Sequence, residues 1–219
     1  VACASAGIII GVVTKTGVGL RLASGLIDLA GGMLLPAMFF TMITAIVLGM
    51  GVPTTANYVI TSTIAAPALE QMGVPVLAAH MFVFYFGIIA DVTPPVALAA
   101  YAGAGISGGN ALKTGVHASK LAIAAFIIPY VFVLSPVLLM VDATPLALVS
   151  VTLTALLGMI AISSALCGFL ADHCRPYERI LLIIAGLLMI KPGGITDLVG
   201  LVLFAVILVM QYRRAKETA

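Results

Sequence analysis

An all-α integral membrane bundle is the fold class this chain predicts, and three observations predict it. Of its 219 residues, 63% are hydrophobic and only 8% are charged, against roughly 25% charged in a soluble domain. The apolar runs are long and continuous, as membrane helices require, rather than alternating as in a barrel. Two of these runs are interrupted by helix-stopping residues, at Gly49-Met50-Gly51-Val52-Pro53-Thr54-Thr55 and at Asp91-Val92-Thr93-Pro94-Pro95. Gly and Pro break the backbone ladder, and in lipid a freed N–H or C=O has no water to turn to. Such breaks persist at membrane depth only where protein or a water-filled cavity satisfies them. Paired broken helices are the best sequence-level pointer to the site of a secondary transporter.

The elements follow in order. Residues 1–13 predict the end of a membrane helix, and a start without Met inside an apolar stretch predicts a piece of a longer protein. Lys15, Arg21 and Asp28, spaced among apolar residues over 14–31, suggest an interfacial amphipathic stretch. Residues 33–50 and 54–70 are apolar helices joined by the first break; 75–90 and 96–106 are joined by the second. A Gly-rich loop follows from Gly103 to Thr114, then membrane helices over 117–141, 145–170, 177–190 and 196–212, and a polar, basic tail from Gln211. Residues 75–106 read as one discontinuous crossing helix. Residues 33–70 read either as a re-entrant hairpin with its tip at Gly49–Thr55 or as two full crossings, since each arm approaches the roughly 20 residues that span a bilayer.

Charge placement sets an orientation. Lys113, Lys120, Arg175, Arg179, Arg213, Arg214 and Lys216 fall on one side of the membrane, and Lys15, Arg21 and Lys191 on the other. The positive-inside rule makes the richer side, with the C-terminus, cytoplasmic. The count is the same for a hairpin and for two crossings. The cysteines Cys3, Cys167 and Cys174 lack metal-ligand spacing and read as small core or surface residues.

Asp91 is the one acidic residue between two apolar half-helices. An ionisable group at membrane depth costs about 2.5–3.5 kcal/mol on insertion scales and is a functional candidate by default. The two prolines after it are expected to leave the carbonyls of Ile89, Ala90 and Asp91 without helical donors, and Thr93 adds a hydroxyl. Carboxylate, hydroxyl and free carbonyls form a hard-oxygen set suited to Na⁺. The competing reading is that Asp91 simply caps a half-helix starting at Pro94. At the other break, Gly49 and Gly51 permit close approach, Pro53 stops the first arm, and Thr54 and Thr55 can cap the second. The N–H groups of that second arm turn a positive dipole end into the break, where an anionic group would be welcome. A tight helix–helix turn with ordinary caps is the bland alternative. Asn57, one turn further, lines the same cavity or bonds a neighbouring helix. His80, alone in an apolar helix, reads as an interhelical hydrogen bond before a proton relay. No phosphate-binding loop, metal-ligand cluster or catalytic set is present, so neither an enzyme nor an organic cofactor is expected.

Three segments resemble one family. Gly49-Met50-Gly51-Val52-Pro53-Thr54-Thr55-Ala56 is similar to the Gly-Met-Gly-Leu-Pro-Thr-Thr-Ala segment of the large membrane subunit of TRAP transporters (tripartite ATP-independent periplasmic transporters). So are Ala78-Ala79-His80-Met81-Phe82-Val83-Phe84-Tyr85-Phe86-Gly87 and Thr93-Pro94-Pro95-Val96-Ala97-Leu98-Ala99-Ala100-Tyr101. The likeness covers about residues 1–141 and is nearest to fused permeases that work with TAXI-type binding proteins. It implies the C-terminal repeat of an inverted-repeat, elevator-type transport domain over 1–141, with hairpin 33–70 and discontinuous helix 75–106, and a transmembrane extension over 142–219. It further implies Na⁺ held by Gly49, Gly51, Pro53, Thr54, Asp91 and Thr93, with H⁺ as the alternative to Na⁺, and an organic acid met by Thr54, Thr55 and Asn57. The implied partners are a periplasmic solute-binding protein, the missing N-terminal half and a small membrane subunit, in a bacterial or archaeal inner membrane. The resemblance favours the hairpin. The reading from another class is a membrane subunit that only anchors a complex, with the breaks as packing kinks.

Overall fold

The computed structural model describes residues 2–94, 96–191 and 193–218; Pro95, the last residue of the second break, lies outside them, as does the side chain of Cys3. The chain forms two compact units, Val1–Val133 and Leu134–Ala219. Among the described residues every regular element is helical, and the chain is an all-α membrane bundle.

The first unit holds α1 (Ala2–Thr16), α2 (Val18–Leu29), α3 (Leu34–Gly49), α4 (Thr54–Ile64), α5 (Ala66–Gln71), α6 (Val76–Ile89), α7 (Leu98–Ser107), α8 (Ala111–Leu121) and α9 (Ile123–Leu134). Helix α6 is the hub, with α3, α4 and α5 packed on it, while α1 lies on α4 and α7 on α8. Met38, Leu69, Phe82 and Phe86 are fully buried at this centre. Tyr130 of α9 meets Phe82 and Phe86 edge to face at 5.3 and 5.9 Å, and its hydroxyl donates to the Met42 sulfur at 3.4 Å. Each such ring pair adds roughly 1 kcal/mol beyond the area it buries.

Several boundaries depart from the sequence reading for local reasons. The arm expected over 54–70 is split at Ala65, because Pro67 in the first turn of α5 has no N–H for the Thr63 carbonyl. The Gly-rich loop shrinks to three residues. Helix α7 runs on to Ser107 and ends on Gly108 at φ +70°, and α8 begins at once because the Asn110 side chain accepts the Lys113 N–H at 3.0 Å. The helix expected over 117–141 is two, since α8 and α9 meet at a 41° bend. Pro136 then ends α9 by forcing Ser135 out of the helical region, at φ −140° and ψ 81°, and a 3₁₀ turn follows.

The second unit is α10 (Pro145–Cys167), α11 (Pro176–Ile190) and α12 (Gly194–Thr218). Helices α10 and α11 cross where two glycines meet: a methyl at Gly186 would stand 2.7 Å from the Gly158 carbonyl oxygen and 2.5 Å from Ile162. Small residues at a crossing let membrane helices approach backbone to backbone. Among the described residues, α10 and the Gly194–Arg214 part of α12 are long and apolar enough to cross a membrane, and α8 with α9 would be a third span if taken as one bent helix. At 15 residues, α11 is about 22 Å long and falls short of a full crossing. The expected polar tail is helical through Thr218, because Gln211 and Arg214 are tied to the rest of the unit. Gln211 Nε2 donates to Glu178 at 2.8 Å, and Arg214 donates to Asp172 at 2.7 Å and Glu178 at 2.9 Å. Arg214 and the His173 N–H hold the Asp172 carboxyl below the usual carboxylate range.

Candidate functional site

The first break is a short extended turn. Helix α3 ends at Gly49, Met50 is extended, Gly51 takes φ +72° and Pro53 is the residue ahead of α4. No side chain caps α4, so the capping expected of Thr54 and Thr55 does not occur. The reason is position: both threonines are already inside the helix, exposed in its first turn. The Asn57 N–H reaches back to the Pro53 carbonyl at 2.9 Å. The N–H groups of Thr54, Thr55 and Ala56 precede the first intrahelical bond and have no partner in the helix itself.

The second break runs from Asp91 to Ala97. The carbonyls that the prolines were expected to set free are taken: Ile89 O accepts the Val92 N–H at 3.1 Å and the Thr93 hydroxyl at 2.7 Å, and Asp91 O accepts the Ala99 N–H at 3.1 Å. Nor does Asp91 cap the second half-helix. That helix starts later, at Leu98, behind Ala97 in the left-handed region at φ +39° with no side-chain cap. A buried alanine in that region costs of order 1 kcal/mol and is held by packing. Gly115 of α8 sits against Pro94 and Ala97, at 3.2 and 3.4 Å from where its Cβ would stand. The Ser119 hydroxyl reaches the Val92 carbonyl at 3.4 Å.

The two breaks meet. A cavity of about 410 Å³ is lined by Gly51, Val52, Pro53 and Thr54 from the first and by Asp91, Leu98 and Ala99 from the second and the helix after it. Asp91 is half-buried, and its carboxylate has no hydrogen bond or ion pair among the described residues. Of the residues the sequence singled out, Gly51, Pro53, Thr54 and Asp91 come together here. Gly49, Thr55, Asn57 and Thr93 are not part of the lining.

Asn57 lies behind the tip. It is 3% exposed, and its amide fills the gap between α3 and α6: a methyl at Gly49 would stand 2.7 Å from Asn57 Nδ2, and one at Gly87 2.8 Å from the same atom. Its Oδ1 is buried without a hydrogen-bond partner. Gly87 therefore matters as much as Gly49, and the sign of it in the sequence is a lone glycine in an otherwise bulky apolar helix. His80 is an interhelical bridge. Its Nδ1 is 2.9 Å from the Tyr58 hydroxyl of α4 and its Nε2 3.1 Å from Glu70 of α5, which ties both to α6.

No curated protein and no solved structure matches the chain. The family model described as "Tripartite ATP-independent periplasmic transporter, DctM component" matches residues 1–147, a stretch that contains both breaks and the cavity between them. That match takes in more than half of the chain, and the chain belongs to the DctM family of tripartite ATP-independent periplasmic transporters, as a multi-pass membrane permease for solute uptake.

Proposed function

We propose that this permease couples uptake of an organic acid to Na⁺, and that the cavity between the two breaks is this chain's share of the binding site. The observation that carries the reading is the pairing of opposite electrostatic elements in one space. The first turn of α4 offers unpaired N–H groups and the positive end of its dipole. Across the cavity stands the Asp91 carboxylate. A substrate carboxylate drawn to the helix end would be repelled by Asp91 unless a cation lay between them, which gives a physical reason for co-transport. Hard oxygens among the lining residues are the Asp91 carboxylate, the Thr54 hydroxyl and the main-chain carbonyls of Gly51 and Val52, whereas the Pro53 carbonyl is turned into α4 by the Asn57 N–H. Thr93 is a weaker candidate because it does not line the cavity.

The arm lengths support a re-entrant hairpin. Helix α3 has 16 residues, and the second arm has 11 in α4 and 6 in α5 on either side of Ala65, so the arms reach at most about 24 and 27 Å at 1.5 Å per residue, both short of a hydrocarbon core of about 30 Å. The hairpin would open toward the periplasm, with the C-terminus cytoplasmic, and a periplasmic binding protein would deliver the solute. The repeat would move across the inner membrane as a unit with its N-terminal counterpart, and a small membrane subunit would be a further partner.

The test is uptake into proteoliposomes holding the full-length permease, with its binding protein outside and an imposed Na⁺ gradient, over a panel of dicarboxylates and keto acids. Uptake requires both Na⁺ and the binding protein, and Thr54→Val with Thr55→Val lowers it about tenfold through the lost threonine oxygens. An unchanged Na⁺ dependence in that double variant would remove the threonines from the site, and uptake driven by a proton gradient alone would replace Na⁺ with H⁺.

A further inference from the structure

One end of the Leu134–Ala219 unit gathers more arginine than its acids neutralise. A cavity of about 340 Å³ there is lined by Arg175, Tyr177, Glu178, Met210, Arg213 and Arg214, three cations against one anion. Arg214 is turned inward: Nε donates to Asp172 at 2.7 Å, Nη1 to Glu178 at 2.9 Å and Nη2 to the His173 carbonyl at 2.7 Å. Glu178 is 2% exposed and also accepts from Gln211 Nε2 at 2.8 Å and from the Arg175 N–H at 2.9 Å. The one anion on the wall is thus already committed to an internal network. Among the described residues the Arg175 guanidinium reaches only the Tyr177 hydroxyl, at 3.5 Å, and the exposed Arg213 has no ion pair.

The position of this cavity says what could fill it. The membrane-crossing part of α12 ends at Arg214, and its outer face is apolar up to that point, with Val202, Val206 and Val209 exposed. The end of α10 lies at the same level, since Arg179 of α11 donates to the Ala165 and Leu166 carbonyls at 2.6 and 3.0 Å. Two spans ending together mark the depth at which lipid headgroups lie. Guanidinium groups recognise phosphate oxygens through charge-assisted bonds, while Met210 and the Tyr177 ring offer apolar contact to the glycerol side of a lipid.

We propose that this cavity binds the phosphodiester headgroup of an anionic phospholipid, with Arg175 and Arg213 as the phosphate-binding residues and the Arg214–Asp172–Glu178–Gln211 network as the rigid floor that positions them. The site is independent of the transport cavity and does not rest on the Na⁺ reading.

The test uses the full chain in uncharged detergent, titrated with phosphatidylglycerol and with phosphatidylcholine and read by native mass spectrometry and thermal denaturation. One saturable phosphatidylglycerol adduct that raises the denaturation midpoint is expected. At about fivefold per arginine, Arg175→Gln with Arg213→Gln weakens it about 30-fold, and Arg213→Gln alone about fivefold should the double variant fold poorly. Lys113→Gln with Lys120→Gln leaves it unchanged. Equal binding of phosphatidylcholine, unchanged affinity in the arginine variants, or the same loss in the lysine variant overturns the proposal. So does displacement of the lipid by an equal concentration of inorganic phosphate, which would mark a free-anion site.

Discussion

In the Leu134–Ala219 unit, helices of 23, 15 and 25 residues run without a break. In the Val1–Val133 unit no described helix exceeds 16 residues. Both are built from the same apolar residue types, and they differ in whether polar residues gather at a break in a helix or at the ends of whole ones. In the second unit the buried Glu178 and Gln211 bond each other and their surroundings. The second unit also has an unpartnered buried atom, Asp197 Oδ1, and two non-glycine residues at positive φ, Met140 and Asp142, as the first has Asn57 Oδ1 and Ala97; what sets the first apart is that Asp91 stands unpaired at a cavity lined by its two breaks. An unsatisfied buried polar group costs about 1–3 kcal/mol. Such costs are of functional interest where they border a space a ligand can enter, and in the first unit Asp91 does so at the cavity between the breaks.

Breaking the satisfied network should have the largest effect. Gln211→Leu removes the acceptor of the Ala171 and Asp172 N–H groups, at 3.2 and 3.3 Å, as well as the donor to Glu178. A loss of about 3 kcal/mol is expected in denaturation of the second unit; a loss under about 1 kcal/mol would show that water replaces these bonds. Next comes the crowding behind the tip. Gly87→Ala sets a methyl 2.8 Å from the Asn57 amide and is expected to destabilise the first unit by about 2 kcal/mol. Pairing it with Asn57→Ala should restore most of that, and strictly additive effects would mean that the two residues do not press on each other.

The smallest effect is a pH dependence. Because the Asp172 carboxyl titrates below its ordinary value, held there chiefly by the Arg214 hydrogen bond, it contributes stability that is present above the ordinary aspartate pKa of about 3.9. That contribution is lost as pH falls through the lowered native value. Acid denaturation followed by circular dichroism should be shallower below about pH 4 in Asp172→Asn, and superimposable acid limbs would assign the acid sensitivity elsewhere.

Much of this division was legible in the sequence because Gly and Pro act on the backbone locally. Gly49–Thr55 and Asp91–Pro94 mark both breaks, and the composition alone calls for membrane helices. Bonds between distant residues were not legible. Nothing local tells that Asn57 would wedge between Gly49 and Gly87, that Ser119 would reach Val92, or that Tyr58 and Glu70 would hold His80 from two sides. The α8–α9 bend at Ala122 carries neither Gly nor Pro, so a helix expected over 117–141 passed unbroken. The free carbonyls expected near Asp91 are occupied because the chain tightens into successive turns there, a response to the prolines that composition cannot report.

The central claim is that the two breaks form one cation-dependent site, and its most direct test is thermal denaturation of the full-length permease against Na⁺ concentration, with K⁺ keeping ionic strength constant. The account predicts a saturable rise with Na⁺, about 1.4 kcal/mol at ten times the dissociation constant, which Asp91→Asn abolishes. An equal rise with K⁺, or a rise that survives in Asp91→Asn, would contradict it.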